Sequence, residues 1–403
     1  MKKKILLTTH TLNIGGVERS FISLLENLDY SKYEVDVFLY EHYGELFHLL
    51  PKEVQLLPEN LNYALLLKPI KEAVKKGYWN VALVKFLAKI KTIIKSKFLF
   101  RSTTKSDSLH HVYLCEIASK FFPKITSVKY DAVLAFLHPN FLESSKVNAD
   151  KYIGWVHTDY TFLNIDRKVE LNMWSKFDSI LGVSESSIKG FSDVFPELNK
   201  KLSVVENVLS VNFVKEQSLL LDVSLEMEVN ELKFLSIGRF SYPKNFENIP
   251  AIAKKMKGLG LEFKWYIIGY GADEFKIRNA ISQNGMDNVV QLLGKKENPY
   301  PYIKACDFYI QPSRFEGKAV TVREAQMLGK PVIVTNFASA KSQLDDGFDG
   351  VIVSMENEAC AKEIYEFVTN QNLIKLITAN IENKDYSNIE EISKIDQLIV
   401  EKN

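Results

Sequence analysis

Residues 313–329 read SRFEGKAVTVREAQMLG, and two carboxylates, Glu316 and Glu324, stand in this stretch with seven residues between them. A strand-like run at 307–311 leads into Pro312 and Ser313, and an apolar-periodic segment begins near Ala319. The spacing predicts a loop-to-helix junction, with Glu316 in the loop and Glu324 in the first helical turns. The first N–H groups of a helix have no partner inside it and the dipole adds partial positive charge, so such a junction accepts a phosphate. Carboxylates separated along the helix axis would hold different parts of one long ligand. A plainer reading competes for each. Thr321-Val322-Arg323-Glu324 matches a capping box, contributing about 1 kcal/mol or less, and Glu316-Gly317 alone could be a solvated turn.

Cations follow another strand-like run, at 232–237: Arg239 and Lys244 lie five positions apart in a loop stiffened by Pro243. Two cations there can hold a diphosphate through charge-assisted bonds and stabilise the charge that grows when it departs. The competing reading is a pair of solvated loop charges. Near the amino terminus, Gly15-Gly16 follows the first predicted strand and opens a helix, where glycine permits close approach of a ligand to the backbone. It could equally be a tight turn. His157 ends a further strand in Gly154-Trp155-Val156-His157-Thr158-Asp159. A lone histidine in such a place is more often packed or capping than catalytic.

The elements that must position these residues form two series. Runs at 4–9, 33–40, 132–137, 152–156 and 179–183 read as strands with helical segments between several of them, and 17–28 reads as an amphipathic helix. A second series, at 232–237, 263–268, 289–293, 307–311 and 332–335, follows an irregular, partly acidic stretch. Strands alternating with helices predict an α/β fold of two Rossmann-like, doubly wound domains, with the carboxyl ends of both sheets facing one cleft. The expected boundaries are an N-terminal domain at 1–208 with a basic amphipathic insertion near 65–105, a linker at 209–231, a C-terminal domain at 232–388, and a tail at 389–403 packing back on the first domain. A chain of 403 residues exceeds what one core usually supports.

Arg239 and Lys244 after a strand-Gly, then Gly269-Tyr270-Gly271, Pro312-Ser313, Glu316-Gly317, Glu324-Ala325 and Gly329-Lys330-Pro331-Val332 make an ordered set. It resembles the retaining GT-B glycosyltransferases of family GT4 over essentially the whole second domain. The resemblance implies that Arg239 and Lys244 bind a donor diphosphate, Glu316 the hexose hydroxyls and Glu324 the nucleotide ribose. The backbone of Gly317, Lys318, Ala319 and Val320 would hold the phosphates. By the same resemblance Gly15 and Gly16 face donor phosphate and sugar, His157 contacts the donor sugar, and Asp159 is a candidate acceptor contact. Lys318-Ala319-Val320 departs from the aromatic or glycine-rich sequence of many relatives, which leaves the role of Lys318 open.

The resemblance implies a retaining glycosyltransferase that moves a hexose or N-acetylhexosamine from a nucleotide-diphosphate sugar, with a UDP-sugar the first expectation, to a growing glycan in cell-surface polysaccharide biosynthesis, a lipid-linked glycan being the acceptor expected. No Asp-x-Asp occurs, so metal-independent catalysis without a cofactor is expected, with Arg239, Lys244 and helix ends replacing a divalent ion. Gly269-Tyr270-Gly271 lacks the third glycine of a dinucleotide fingerprint, which disfavours a nicotinamide enzyme. Rival readings are a nucleotide-sugar epimerase of the same architecture and a non-catalytic nucleotide-binding partner of another transferase. A glycosidase using Glu316 and Glu324 is poorer, because their Gly-rich, basic surroundings suit phosphate.

Cys115, Cys306 and Cys360 lie far apart without metal-ligand spacing, and Ile5-Leu6-Leu7 is too short for a signal peptide; both favour the cytoplasm. Net charge is +1. Between Lys68 and Lys105, however, eleven cations face one acid, Glu72. Apolar residues recur there at helical spacing, so the stretch reads as a helix on an anionic membrane surface, with Lys85, Lys89, Lys91 and Lys95 expected to carry the contact. An ordinary solvated helix is the plainer reading. Nucleic acid is not expected, since no binding motif accompanies the lysines.

Overall fold

Short runs dense in β-branched and aromatic residues form the strands, and most of them are apolar on both faces, as a sheet covered by helices on each side requires. The computed structural model describes residues 2–99, 106–107, 109–137, 139–158, 160, 163–227, 231–316 and 319–400. The chain divides into two compact units, the first comprising 1–208 and 389–403, the second 209–388.

In the first unit β1 (Lys3–Thr9), β2 (Tyr33–Leu39), β3 (Gln55–Leu56), β4 (Ser106–Asp107), β5 (Lys129–Ala135), β6 (Asn148–Val156), β7 (Leu163–Asn164), β8 (Ser179–Gly182) and β9 (Leu202–Val204) follow in chain order. Seven of them make one parallel sheet in the order β3-β2-β1-β5-β6-β8-β9, while β4 and β7 pair separately. The order reverses between β1 and β5. Such a switch point, at the carboxyl ends of the strands, is where open α/β sheets bind ligands. Just beyond β5, the helix Phe141–Lys146 opens with a capping box in which Asn140 and Glu143 exchange hydrogen bonds.

The tail returns to this unit as the helix Glu391–Val400. Ile392, Ile395 and Ile399 join the core formed by Ile5, Leu7, Leu24 and Val35. Lys3 Nζ donates to the Ile399 carbonyl at 2.9 Å, and the Tyr33 hydroxyl donates to Asp396 at 2.9 Å.

The basic stretch differs from expectation in how its lysines are used. The helix Trp79–Leu99 buries Val81, Val84 and Ala88, and Lys85 lies on the same face at 5% exposure. Lys85 Nζ donates to the Leu65 carbonyl at 2.8 Å and also to the Lys68 carbonyl, so this ammonium closes a loop, and burial pushes its pKa down to about 8. Lys91 pairs with Glu116, and Lys95 Nζ lies 4.0 Å from Asp166. Three of the four lysines expected to meet a membrane are therefore turned to partners within the unit.

The second unit contains β10 (Leu232–Ile237), β11 (Phe263–Ile268), β12 (Val290–Gly294), β13 (Phe308–Gln311), β14 (Val332–Thr335) and β15 (Val351–Val353). They make one parallel sheet in the order β12-β11-β10-β13-β14-β15, with its switch point between β10 and β13. The helix Val211–Gln217, within the stretch read from sequence as irregular, belongs to this unit.

Candidate functional site

The switch point of the second sheet brings together two loops that are 60 residues or more apart in sequence: 238–245 after β10 and 312–316 after β13. The first is pressed against the backbone beyond β11. Gly238 N donates to the Ile268 carbonyl at 3.0 Å and Phe240 N to the Tyr270 carbonyl at 2.8 Å. A Cβ on Gly269 would lie 1.9 Å from the Gly238 carbonyl oxygen, so this approach requires glycine there. Asn245 ends the loop at φ 60°, left-handed, and its Nδ2 donates to the Pro312 carbonyl at 2.9 Å. Arg314 completes the clasp: its N–H donates to the Pro243 carbonyl, and its guanidinium donates to the Tyr242 carbonyl and to Glu247 at 2.6 and 2.7 Å.

This clasp sets Lys244 beside Glu316. Lys244 Nζ and the Ser313 hydroxyl each lie 2.6 Å from Glu316 Oε1, and Gln311 Nε2 reaches the same oxygen at 3.2 Å. Gln311 and Ser313 are fully buried. Behind them the Tyr309 hydroxyl lies 2.7 Å from Gln311 Oε1 and 2.8 Å from Thr321 Oγ1. Burial pushes the Tyr309 pKa upward, so that hydroxyl keeps its proton. All three donors converge on one carboxylate oxygen, and Oε2 receives no hydrogen bond from a described residue. A carboxylate so held keeps one face available to accept hydroxyl protons from a ligand. Arg239 on the neighbouring loop is exposed and makes no ion pair among the described residues.

Glu324 lies in the helix Val320–Met327 at 0% exposure, and the Tyr300 hydroxyl donates to its Oε1 at 2.9 Å. The capping box does not form. The helix begins at Val320 with Ala319 as N-cap and no side-chain cap, so Thr321 is already inside the helix and points to Tyr309. Of the backbone donors expected to meet phosphate, the Ala319 N–H is taken by Gln343 Oε1 at 3.0 Å. A phosphate would have to displace Gln343 or use the donors beside it. Gln343 Nε2 also reaches Ser339 Oγ at 3.3 Å, and Ser339 in turn donates to the Glu316 carbonyl at 2.7 Å. Gly317 and Lys318 lie outside the described residues.

In the first unit, Gly15 is the N-cap of the helix Gly16–Asn27. A Cβ on Gly15 would lie 2.1 Å from Glu18 Oε2, whereas one on Gly16 would meet nothing within 4 Å. Gly16 therefore offers the open backbone and Gly15 accommodates the glutamate. His157 follows β6, lies against the Phe136 ring at 5.0 Å between centroids with the planes inclined at 52°, and approaches the Phe136 carbonyl with Nε2 at 2.7 Å. Since a carbonyl only accepts, Nε2 carries the proton. Asp159 lies outside the described residues.

Gln311, Ser313, Tyr300 and Gln343 were not singled out from sequence as site residues. Gln311-Pro312-Ser313 was legible as a polar strand end. Tyr300 and Gln343 gave no local signal, because they approach the site from other elements.

Residues 221–384, most of the second unit, match the family described as Glycosyl transferases group 1. A Campylobacter jejuni protein named N-acetylgalactosamine-N,N'-diacetylbacillosaminyl-diphospho-undecaprenol 4-alpha-N-acetylgalactosaminyltransferase is 27% identical over 188 residues, 46% of this chain and 49% of that protein. An Escherichia coli UDP-Gal:alpha-D-GlcNAc-diphosphoundecaprenol alpha-1,3-galactosyltransferase is 24% identical over 43% of this chain and 46% of its own. The matched segments thus span about half the length of these relatives. Two solved structures align along nearly the whole chain. HepE of Anabaena, in complex with UDP and glucose, superposes with a TM-score of 0.66 at 16% identity, covering 98% of this chain and 99% of that one. A glycosyltransferase from Rickettsia africae gives 0.67 at 18% identity, covering 100% of both. The fold is GT-B, and the second unit carries the sequence signature of the family.

Proposed function

We propose that this protein is a retaining, metal-independent glycosyltransferase that moves a hexose or N-acetylhexosamine from a UDP-sugar to a growing, lipid-linked glycan in cell-surface polysaccharide biosynthesis. The observation that carries the proposal is the convergence of Lys244, Ser313 and Gln311 on one oxygen of Glu316. Sugar hydroxyls then bond to the other oxygen, while Lys244, released from full neutralisation, turns its ammonium toward the diphosphate with Arg239. Glu324, held by Tyr300, takes the ribose. The family signature over 221–384 and the undecaprenol-linked substrates in the relatives' names support the same reading.

The chemistry assigned to these residues is positioning and electrostatics. Two cations stabilise the charge that develops on the departing diphosphate, and a water-poor site strengthens that effect. Retention follows if the acceptor hydroxyl enters on the face the diphosphate leaves, with the leaving phosphate oxygen taking its proton. No protein nucleophile is then needed. His157, Gly16 and Asp159 are assigned to donor sugar, donor phosphate and acceptor respectively, and the enzyme would work at the inner face of the membrane, where a lipid-linked acceptor is met.

The test is a panel of nucleotide sugars scored first by protection from unfolding, then by transfer to undecaprenyl-diphosphate-linked acceptors. A UDP-sugar is expected to protect and to transfer with its anomeric configuration kept. Conversion of the sugar nucleotide without acceptor would indicate the epimerase instead. Protection by none of the panel would overturn the reading.

A further inference from the structure

The helix Trp79–Leu99 carries two apolar stripes, and only one packs into its unit's core among the described residues. Val81, Val84 and Ala88 face the core. On the opposite side Trp79, Leu83, Phe86, Ile90, Ile93 and Ile94 recur at intervals of three and four, which at 100° per residue places all six within a sector of about 100°. All six are exposed, Trp79 to 67% and Phe86 to 55%. The neighbouring short helix Ile70–Lys75 adds Ile70 and Val74, and Leu67 precedes it, again exposed. Scattered apolar residues are normal on a protein surface, but a contiguous, aligned patch of large side chains marks a contact surface.

The flanks say what that contact is. Lys71, Lys75, Lys76 and Lys89 are exposed and make no ion pair among the described residues. The helix Trp79–Leu99 contains no acidic residue. A protein partner offers a mosaic of both signs, whereas a continuous apolar band edged by unpaired cations of one sign matches acyl chains beneath a layer of phosphates. We infer that Trp79, Leu83, Phe86, Ile90, Ile93 and Ile94 insert into one leaflet of an anionic bilayer, with Lys71, Lys75, Lys76 and Lys89 at the headgroups. Among the described residues no helix is long and apolar enough to cross a membrane, so the contact is interfacial. The inference rests on the lipid-linked acceptor reading for its purpose, and changes how the membrane is held: by apolar insertion, with the lysines secondary.

Flotation with vesicles of phosphatidylcholine and phosphatidylglycerol in equal parts tests it. Binding should persist in roughly 1 M salt, where the screening length is about 3 Å and purely electrostatic adsorption is lost. Leu83→Ser, Phe86→Ser and Ile90→Ser combined should lower binding about tenfold or more, while Lys71, Lys75, Lys76 and Lys89 all changed to Ser should lower it severalfold and only at low salt. Brominated acyl chains should quench the wild-type fluorescence, and Trp79→Phe should remove that quenching, a readout independent of whether the triple variant folds. Complete release by high salt, or unchanged binding by a folded triple variant, would overturn the inference. So would absence of vesicle binding together with self-association that the triple variant abolishes, which would assign the stripe to a second copy of the chain. Nucleotide-sugar protection, measured on the same samples without vesicles, reports on the transferase reading separately.

Discussion

Each sheet places a glutamate beyond the strand that flanks its switch point, Glu143 after β5 and Glu316 after β13, and the two are used in opposite ways. Glu143 is 2% exposed and is met by neutral donors, the Tyr40 hydroxyl at 2.7 Å and the Asn140 N–H at 3.0 Å. Burial pushes its pKa up to about 7, against the pull of those hydrogen bonds. Glu316 has a lysine on one oxygen and no described donor on the other. The same side chain thus caps a helix beyond one sheet, and beyond the other, in a loop, it is the carboxylate proposed to hold the donor sugar. What decides is whether a cation and an open oxygen accompany it.

The largest test of this contrast is to take the grip apart. Glu316→Gln, which keeps the shape, and Lys244→Ala should each lower transfer by about 10²–10³-fold or more, with little change in thermal unfolding. If both variants transfer at near-normal rates, Glu316 is as structural as Glu143. The converse test is thermodynamic. The Glu143 carboxyl holds its proton more tightly in the folded chain than in the unfolded one, so its contribution to stability is fully present below the ordinary glutamate value of 4.5 and is lost as pH rises through about 7. A raised pKa of this size corresponds to about 3 kcal/mol across the window. Glu143→Gln should therefore flatten the fall of Tm with pH between those values, and an unchanged profile would remove Glu143 from the account. The smallest effect concerns the ribose end. Tyr300→Phe removes one neutral donor from Glu324 and should weaken UDP binding less than tenfold, about 1 kcal/mol, measured by calorimetry.

The two glutamates also mark what was legible in the sequence. Uninterrupted apolar runs such as Ile5-Leu6-Leu7 and Tyr266-Ile267-Ile268 announced the central strands, and both domains of alternating strands and helices followed from them. The short edge strands β3, β9 and β15 are not legible in the sequence, because two or three residues carry no period. The capping box expected at Thr321–Glu324 does not form, and such boxes stand instead at Asn140–Glu143 and Ser184–Ser187, since only the true start of a helix selects the pattern. Glu316 and Lys244 were readable as a pair of charges, but their shared oxygen was not, because Lys244 lies 72 positions away from it. Tyr300 and Gln343 reach the site only through packing. In the helix Trp79–Leu99 the sequence offers two stripes of equal spacing, and nothing local tells which one the core takes or that Lys85 goes with it.

The helix Glu391–Val400 has a consequence for the order of manufacture. Its isoleucines complete a core that residues 1–208 begin, so that core is filled only after everything from 209 to 388 has been made. Domains usually fold as they emerge, amino-terminal first. Here the second unit has its whole sequence available earlier, and the core of the first waits for Ile392, Ile395 and Ile399 until the helix Glu391–Val400 leaves the exit tunnel.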